Sequence, residues 1–456
     1  MANVDRKQIF ESLTVPQAVR AMAMPAIFSQ LIVLIYNMAD TFFLGKVNNP
    51  YMVAGASLML PVFNICLSLS SLTGSGGGAL IAQLLGKGQE DEARRVSAFC
   101  LMLSVGITSL FSAGMLLFMR PMLLLLGASE NTFRFAQQYA FCVIVLGSVP
   151  TVLSGVMSHL LRSIGESRRA GFGVSMGGII NILLDPLFMF VLMPKGYEVL
   201  GVGLATLLSN CISCGYFLVV ILRSGRQSVV RFSPACGLPQ RRSILSVFTI
   251  GVPSAVATLL FDVDYIVLDK LMSVYGDVAL AAVGIVLKAE RLPLNIGVGI
   301  CHGMMPIVAY NYAAKNYTRM FDTIRFSLRA GLLAGGVSIV LYELFAGGIM
   351  SAFIGDAQTV ALGADFLRAR CLATPLMFCS FFTVYVFQGF GKGGSALFLG
   401  VMRWAVFNIP MLFLLNALVG MYGLVWSQLC ADILTVTLSY IVSRRYVRQL
   451  TASRPA

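Results

Sequence analysis

Twelve apolar runs follow one another along the chain, parted by short polar or charged stretches. They cover 22–44, 52–80, 95–119, 134–160, 170–193, 199–222, 244–268, 278–310, 326–350, 357–388, 395–418 and 420–443, with ends read to within a few residues. About 20 apolar residues cross a bilayer as a helix. In hydrocarbon every backbone N–H and C=O must be satisfied within the segment, so each run is expected to be helical. A membrane barrel would alternate polar and apolar residues in shorter segments, and these runs do not. The pattern predicts an all-α polytopic membrane protein with twelve transmembrane helices. Prolines inside the runs, among them Pro25, Pro150, Pro253 and Pro375, predict kinks or local unwinding.

The stretches between the runs set the orientation. Of 33 Lys and Arg, 24 fall in the N-terminal segment, the tail and the even-numbered connections, and seven on the opposite side. Lys288 and Arg291 lie within a run. Cytoplasmic loops carry the excess of Lys and Arg, so both termini are expected in the cytoplasm, in a multi-pass protein of the cell (inner) membrane. The first 20 residues are polar and charged and lack the pattern of a cleavable leader.

The chain also repeats itself. Pro25 and Pro253, Ala54 and Ala282, and Lys87 and Lys315 are each 228 residues apart. Pro150 and Pro375, Gly165 and Gly391, and Asn181 and Asn408 keep nearly the same spacing. Six spans per repeat is an even number, so both copies share one orientation. That predicts two six-helix lobes, 1–222 and 244–456, related by a pseudo-two-fold axis along the membrane normal, with a cytoplasmic linker at 223–243. Parallel repeats of this kind are typical of transporters.

Composition sharpens the class. The 456 residues are 57% hydrophobic and only 12% charged, about half the charge of a soluble domain. A soluble enzyme and a nucleic-acid binder are excluded, and the net charge of +13 belongs to loops. Most of the ten cysteines sit inside apolar runs, not in the loops where a secreted disulfide framework would place them. Cys211 and Cys214 read as small packing residues. Two separate histidines, His159 and His302, form no metal pair. Gly74, Gly76, Gly77 and Gly78 lack the GK[ST] of a phosphate loop and read as close helix packing. No organic cofactor is expected.

Charged groups inside spans are costly and therefore candidate functional groups. Helix rise places Asp40 about 9 Å, Thr206 about 12 Å and Asp185 about 15 Å below the outer surface. Asn181 lies one turn from Asp185, and Tyr36 one turn from Asp40. No Lys or Arg shares these spans, so the two carboxylates are expected to hold a proton or a cation such as Na⁺ through carboxylate, amide and hydroxyl oxygens. A second cluster comprises Asp262 and Asp264 on span 7 with Lys288, Glu290 and Arg291 on span 8. There opposite charges are at hand, and Lys288 is expected to pair with Asp262 or Asp264. Asp432 is expected nearer the basic tail, in a structural role.

Taken together, NMADTFFLG (37–45), NILLDP (181–186), GVGLAT (201–206), the turn QLLGKGQEDEARR and the duplicated halves resemble the multidrug and toxic compound extrusion (MATE) family. The likeness covers nearly the whole chain and is nearest the DinF-like and MepA-like bacterial branches. The resemblance implies two lobes around a V-shaped cleft and antiport of organic cations and amphipathic drugs against H⁺ or Na⁺. It also implies a coupling network of Asp40, Asn181, Asp185, Thr206 and Tyr36, the same residues being the ligands if the ion is Na⁺, with Pro25 as a hinge. The acid that NorM-like members carry on span 10 is absent from 371–388. The alternative within the superfamily is a lipid-linked oligosaccharide flippase, which would line its cavity with more cations. An intramembrane enzyme would need a nucleophile–base or metal set, and GxSxG and HExxH are both missing. A channel suits duplicated halves less well. The expected partners are small drugs and the bilayer, with no nucleic acid, and the expected state is a monomer.

Overall fold

The computed structural model describes residues 8–47, 49–225, 228–233 and 236–452. Arg6, Lys7, Arg226 and Arg454, counted above among the basic residues of the N-terminal side, lie outside them. All regular structure among the described residues is helical.

Among the described residues ten helices are long and apolar enough to cross a membrane, and two bent pairs bring the number to twelve if each pair is one span. In chain order they are α1 Val15–Lys46, α2 Pro50–Gly86, α3 Glu90–Leu117, α4 Glu130–Leu146 plus Ser148–Ser163, α5 Ser167–Leu192 and α6 Glu198–Arg223. After the connection follow α7 Arg241–Tyr275, α8 Asp277–Ala313, α9 Tyr317–Phe353, α10 Ala357–Cys371 plus Thr374–Gly389, α11 Gly393–Val419 and α12 Met421–Leu450. Several run a turn or more beyond the apolar runs, because charged residues at the ends extend a helix into water without breaking it. Outward-facing leucines such as Leu110 and Leu125, 76% and 81% exposed, give the bundle an apolar exterior suited to lipid.

Both bent spans turn by 48°, and each resumes with a proline in its first turn, Pro150 and Pro375. Proline is tolerated there, where its missing N–H has no partner to lose. The bends fall at matching places in the internal repeat. Proline also accounts for a change of pitch in α5. Pro186 is followed by a π-helical turn, Phe188–Leu192, since the lost i→i−4 bond lets the helix widen locally. Another π-helical stretch, Met402–Asn408, lies in α11 just before Pro410.

The first six helices meet the last six along two seams, α1 on α8 and α2 on α7. At the α2–α7 crossing the backbones touch. A Cβ on Gly76 would lie 2.3 Å from the Val247 carbonyl oxygen, and one on Gly251 would lie 1.9 Å from that of Leu72. Only glycine permits this approach, so the glycine-rich stretch of α2 is a packing surface.

Candidate functional site

The regular helical spacing of α5 puts Asn181 and Asp185, one turn apart, on one buried face, 2% and 0% exposed. The Asn181 amide donates to Asp185 Oδ1 at 3.3 Å and to Thr206 Oγ1 of α6 at 3.5 Å. Asp40 of α1 reaches the same place, with its carboxyl facing that of Asp185. Tyr36 stands one turn away beside Asp40. Gly178 of α5 leaves the room for it, since a Cβ there would lie 3.1 Å from the Tyr36 ring. The five residues expected to form one network are therefore brought together.

Two features set what the cluster can do chemically. Among the described residues no Lys or Arg forms a salt bridge with Asp40 or Asp185. Three buried oxygens, Asp40 Oδ1, Asn181 Oδ1 and Asp185 Oδ2, have no hydrogen-bond partner. Two adjacent carboxyls in an apolar surround hold a single negative charge far better than two. A shared proton or a hard cation satisfies the site, and its all-oxygen donor set fits either. Tyr139 of α4 also faces this cluster, next to Asp40, Tyr36 and Asp185. Sequence reasoning missed it. Its only signal was a polar QQY at the start of an apolar run.

The second cluster differs from expectation. Lys288 is exposed and does not pair with Asp262 or Asp264. Residues two apart on a helix face nearly opposite ways, so Glu290 points inward while Lys288 points out. Glu290 is instead held by Arg370 of α10 in a two-pronged contact, 2.8 and 3.0 Å, and Arg370 also donates to Gln428 of α12. Asp264 accepts from Asn408 Nδ2 of α11 at 2.6 Å. Asp432 is buried and pairs with Arg403 Nε at 3.1 Å, so it sits inside this cluster and not by the tail. The Arg403 guanidinium lies between the rings of Phe381 and Trp404, 4.1 and 4.2 Å from their centroids. Asp262 stands apart, with Asn64 of α2 and the exposed Arg291 as its polar neighbours, and Arg291 lies over the Tyr265 ring.

Arg370 and Arg403 had been counted in loops, as had Arg162. All three are buried within helices, at 4%, 3% and 5% exposure. The two histidines are not separate either. His159 of α4 and His302 of α8 meet edge to face at 5.2 Å, and His302 Nε2 lies 3.2 Å from the Tyr385 hydroxyl.

Apolar helices of membrane-spanning length, meeting in two seams across an internal repeat, are the architecture of a membrane transporter. The chain belongs to the MatE family, whose sequence pattern matches residues 25–187 and again 253–414. The multidrug export protein MepA of Staphylococcus haemolyticus is 27% identical over 445 residues, 98% of this chain and 97% of its own length. MepA of Staphylococcus aureus is 28% identical over 439 residues, 95% and 94% of the two chains. A multidrug resistance MATE transporter solved in an outward-facing conformation superposes with a TM-score of 0.92 over 99% of this chain and all of its own, at 20% identity.

Proposed function

We propose that this chain is a multidrug exporter that moves cationic and amphipathic compounds out of the cell in exchange for H⁺ or Na⁺ by alternating access. The observation that carries the reading is the Asp40–Asp185 pair, Asp185 buried with Asn181 and Thr206 and Asp40 half-buried beside it, without a basic partner. The second cluster has two built-in arginines for its three acids, so most of its counter-charge is already in place. The first has none, so its counter-charge must come from solution. The names borne by the staphylococcal relatives support the substrate class.

In this reading residues 1–222 and 244–456 are the two lobes, joined by a cytoplasmic linker at 223–243, and both termini lie in the cytoplasm of a monomer in the cell membrane. Pro25 is the hinge of α1. It lies four turns before Asp40, where Gly171 of α5 packs against its carbonyl group, and a proline leaves one backbone bond of the helix unmade. A change in the charge of Asp40 then has a weak point in its own helix to act on.

The test is efflux of a cationic dye from proteoliposomes with a proton gradient and a sodium gradient imposed separately. Export driven by one of the two and lost in Asp40→Asn supports the reading. Export driven by neither overturns it.

A further inference from the structure

The N-terminal turn Gln8–Ser12 leads directly into α1, so its chain belongs to the first six helices. Its bonds belong to the last six. Arg319, in the first turn of α9, donates Nε to the Phe10 carbonyl at 2.7 Å and Nη2 to that of Ile9 at 3.0 Å. Asn311 at the end of α8 also donates to the Phe10 carbonyl, at 3.3 Å. The Tyr310 hydroxyl donates to Glu11, and its ring stacks on Phe10 with centroids 4.9 Å apart and planes 14° apart.

The turn is seated, not draped. Phe10 is 2% and Ile9 7% exposed. Both also rest on the α4–α5 turn, where Gly165 has φ +89° and where a Cβ would lie 3.3 Å from the Phe10 ring. One apolar cluster joins Ile9 and Phe10 to Val19 and Met22 of α1 and Ile307 of α8. A single short turn thus ties α1 and the α4–α5 turn to the ends of α8 and α9. All of these lie on one face of the bundle.

We propose that Gln8–Ser12 is a clasp that holds the two halves together on this face and leaves its seat each time the face opens. The inference rests on the alternating-access reading, which requires the halves to part there. The clasp fixes one of the two end states. Its release exposes the Ile9 and Phe10 carbonyls and the Arg319 guanidinium to water, which can replace their lost bonds. That makes the seat reversible, unlike the glycine crossings.

Two experiments test it in the full chain. In Glu11→Cys combined with Tyr310→Cys, a bismaleimide with an internal disulfide joins the turn to α8. Dye export by the double variant should be lost on cross-linking and return to its uncross-linked rate when dithiothreitol cleaves the linker. Cross-linked protein that exports at the uncross-linked rate overturns the proposal. The second readout does not depend on transport. A His159→Cys reporter, placed where α4 meets α8, is labelled with a water-soluble thiol reagent in detergent. Adding Phe10→Ala, which removes one stacked ring, should raise the labelling rate roughly fivefold, and an unchanged rate overturns the clasp. If labelling rises while no form of the protein exports dye, the clasp stands and the transport reading fails.

Discussion

Asn408 donates to Asp264 at 2.6 Å across two helices, whereas its counterpart in the first repeat, Asn181, donates to Asp185 on its own helix at 3.3 Å. The positions correspond at offsets of 227 and 228 residues, with Asp264 standing where the first repeat has Tyr36. The two halves thus keep the amide and differ in where the acid sits. In the second half Arg370 and Arg403 lie close by, and the cluster is balanced largely from within. In the first half the acids face each other, and balance has to come from outside.

Asp40→Asn keeps the shape of the side chain and removes the ionisable group. Gradient-driven export should fall to background while folded protein is recovered at normal yield. Asp185→Asn should behave alike, because the two carboxyls share one site. Dye efflux from proteoliposomes measures both, and normal export in either variant removes that residue from the coupling site.

Arg370→Met leaves Glu290 buried without its partner. Stranding one member of a buried pair costs about 3–5 kcal/mol, so a large drop in thermal midpoint or loss of folded protein is expected. Glu290→Gln added to Arg370→Met should restore much of it, since it removes the stranded charge. Lys288→Met, at an exposed position, should change stability by less than about 0.5 kcal/mol. Additive losses in the Arg370 and Glu290 double variant would show that the pair is not coupled.

The contrast between the clusters explains what the sequence could disclose. The spans were legible because an apolar run of bilayer length has few other uses. The first cluster was legible because its residues lie on short helical spacings at matching depths, with no basic residue nearby to confuse the assignment. The second was misread for a geometric reason. Which of Lys288 and Glu290 faces inward depends on the rotation of α8, and nothing in a run apolar on all sides fixes that. Arg370 and Arg403 were counted outside the spans although the runs 357–388 and 395–418 contain them, because a charge inside a span is costly and reads as its edge; Arg370 lies just before the bend in α10 and Arg403 within the π-helical stretch of α11. Tyr139 was missed because a tyrosine near a span end is also the residue expected at a membrane surface.

Gly76→Ala places a methyl group against the Val247 carbonyl at the α2–α7 crossing. The backbones must part, and a loss of about 1–3 kcal/mol is expected for such overpacking. Gly106→Ala, where a Cβ meets nothing within 4 Å, should be neutral or slightly stabilising in a helix interior. Thermal unfolding in detergent compares the two. Equal midpoints would mean that the crossing relaxes freely and does not hold the halves in register.

Antiport needs the exported compound and the coupling ion to weaken each other's binding, and that coupling is reciprocal. A cationic amphiphile bound near Asp40 and Asp185 favours their ionised forms and so drives out a shared proton or a bound Na⁺. Dye binding to purified protein should therefore release protons into a weakly buffered solution, or be weakened by added Na⁺. Tyr139→Phe makes the test specific to this cluster. It keeps the ring that faces the cluster but removes the hydroxyl. Removing a polar group that faces a charged site weakens the hold on the ion, so the ion's apparent affinity should fall while dye binding without competition is kept. Dye that binds with neither proton release between roughly pH 5 and 8 nor sensitivity to Na⁺ would rule out direct competition here. Coupling would then have to run through Asp264, Glu290 and Asp432, where three acids share two arginines and one negative charge is left over.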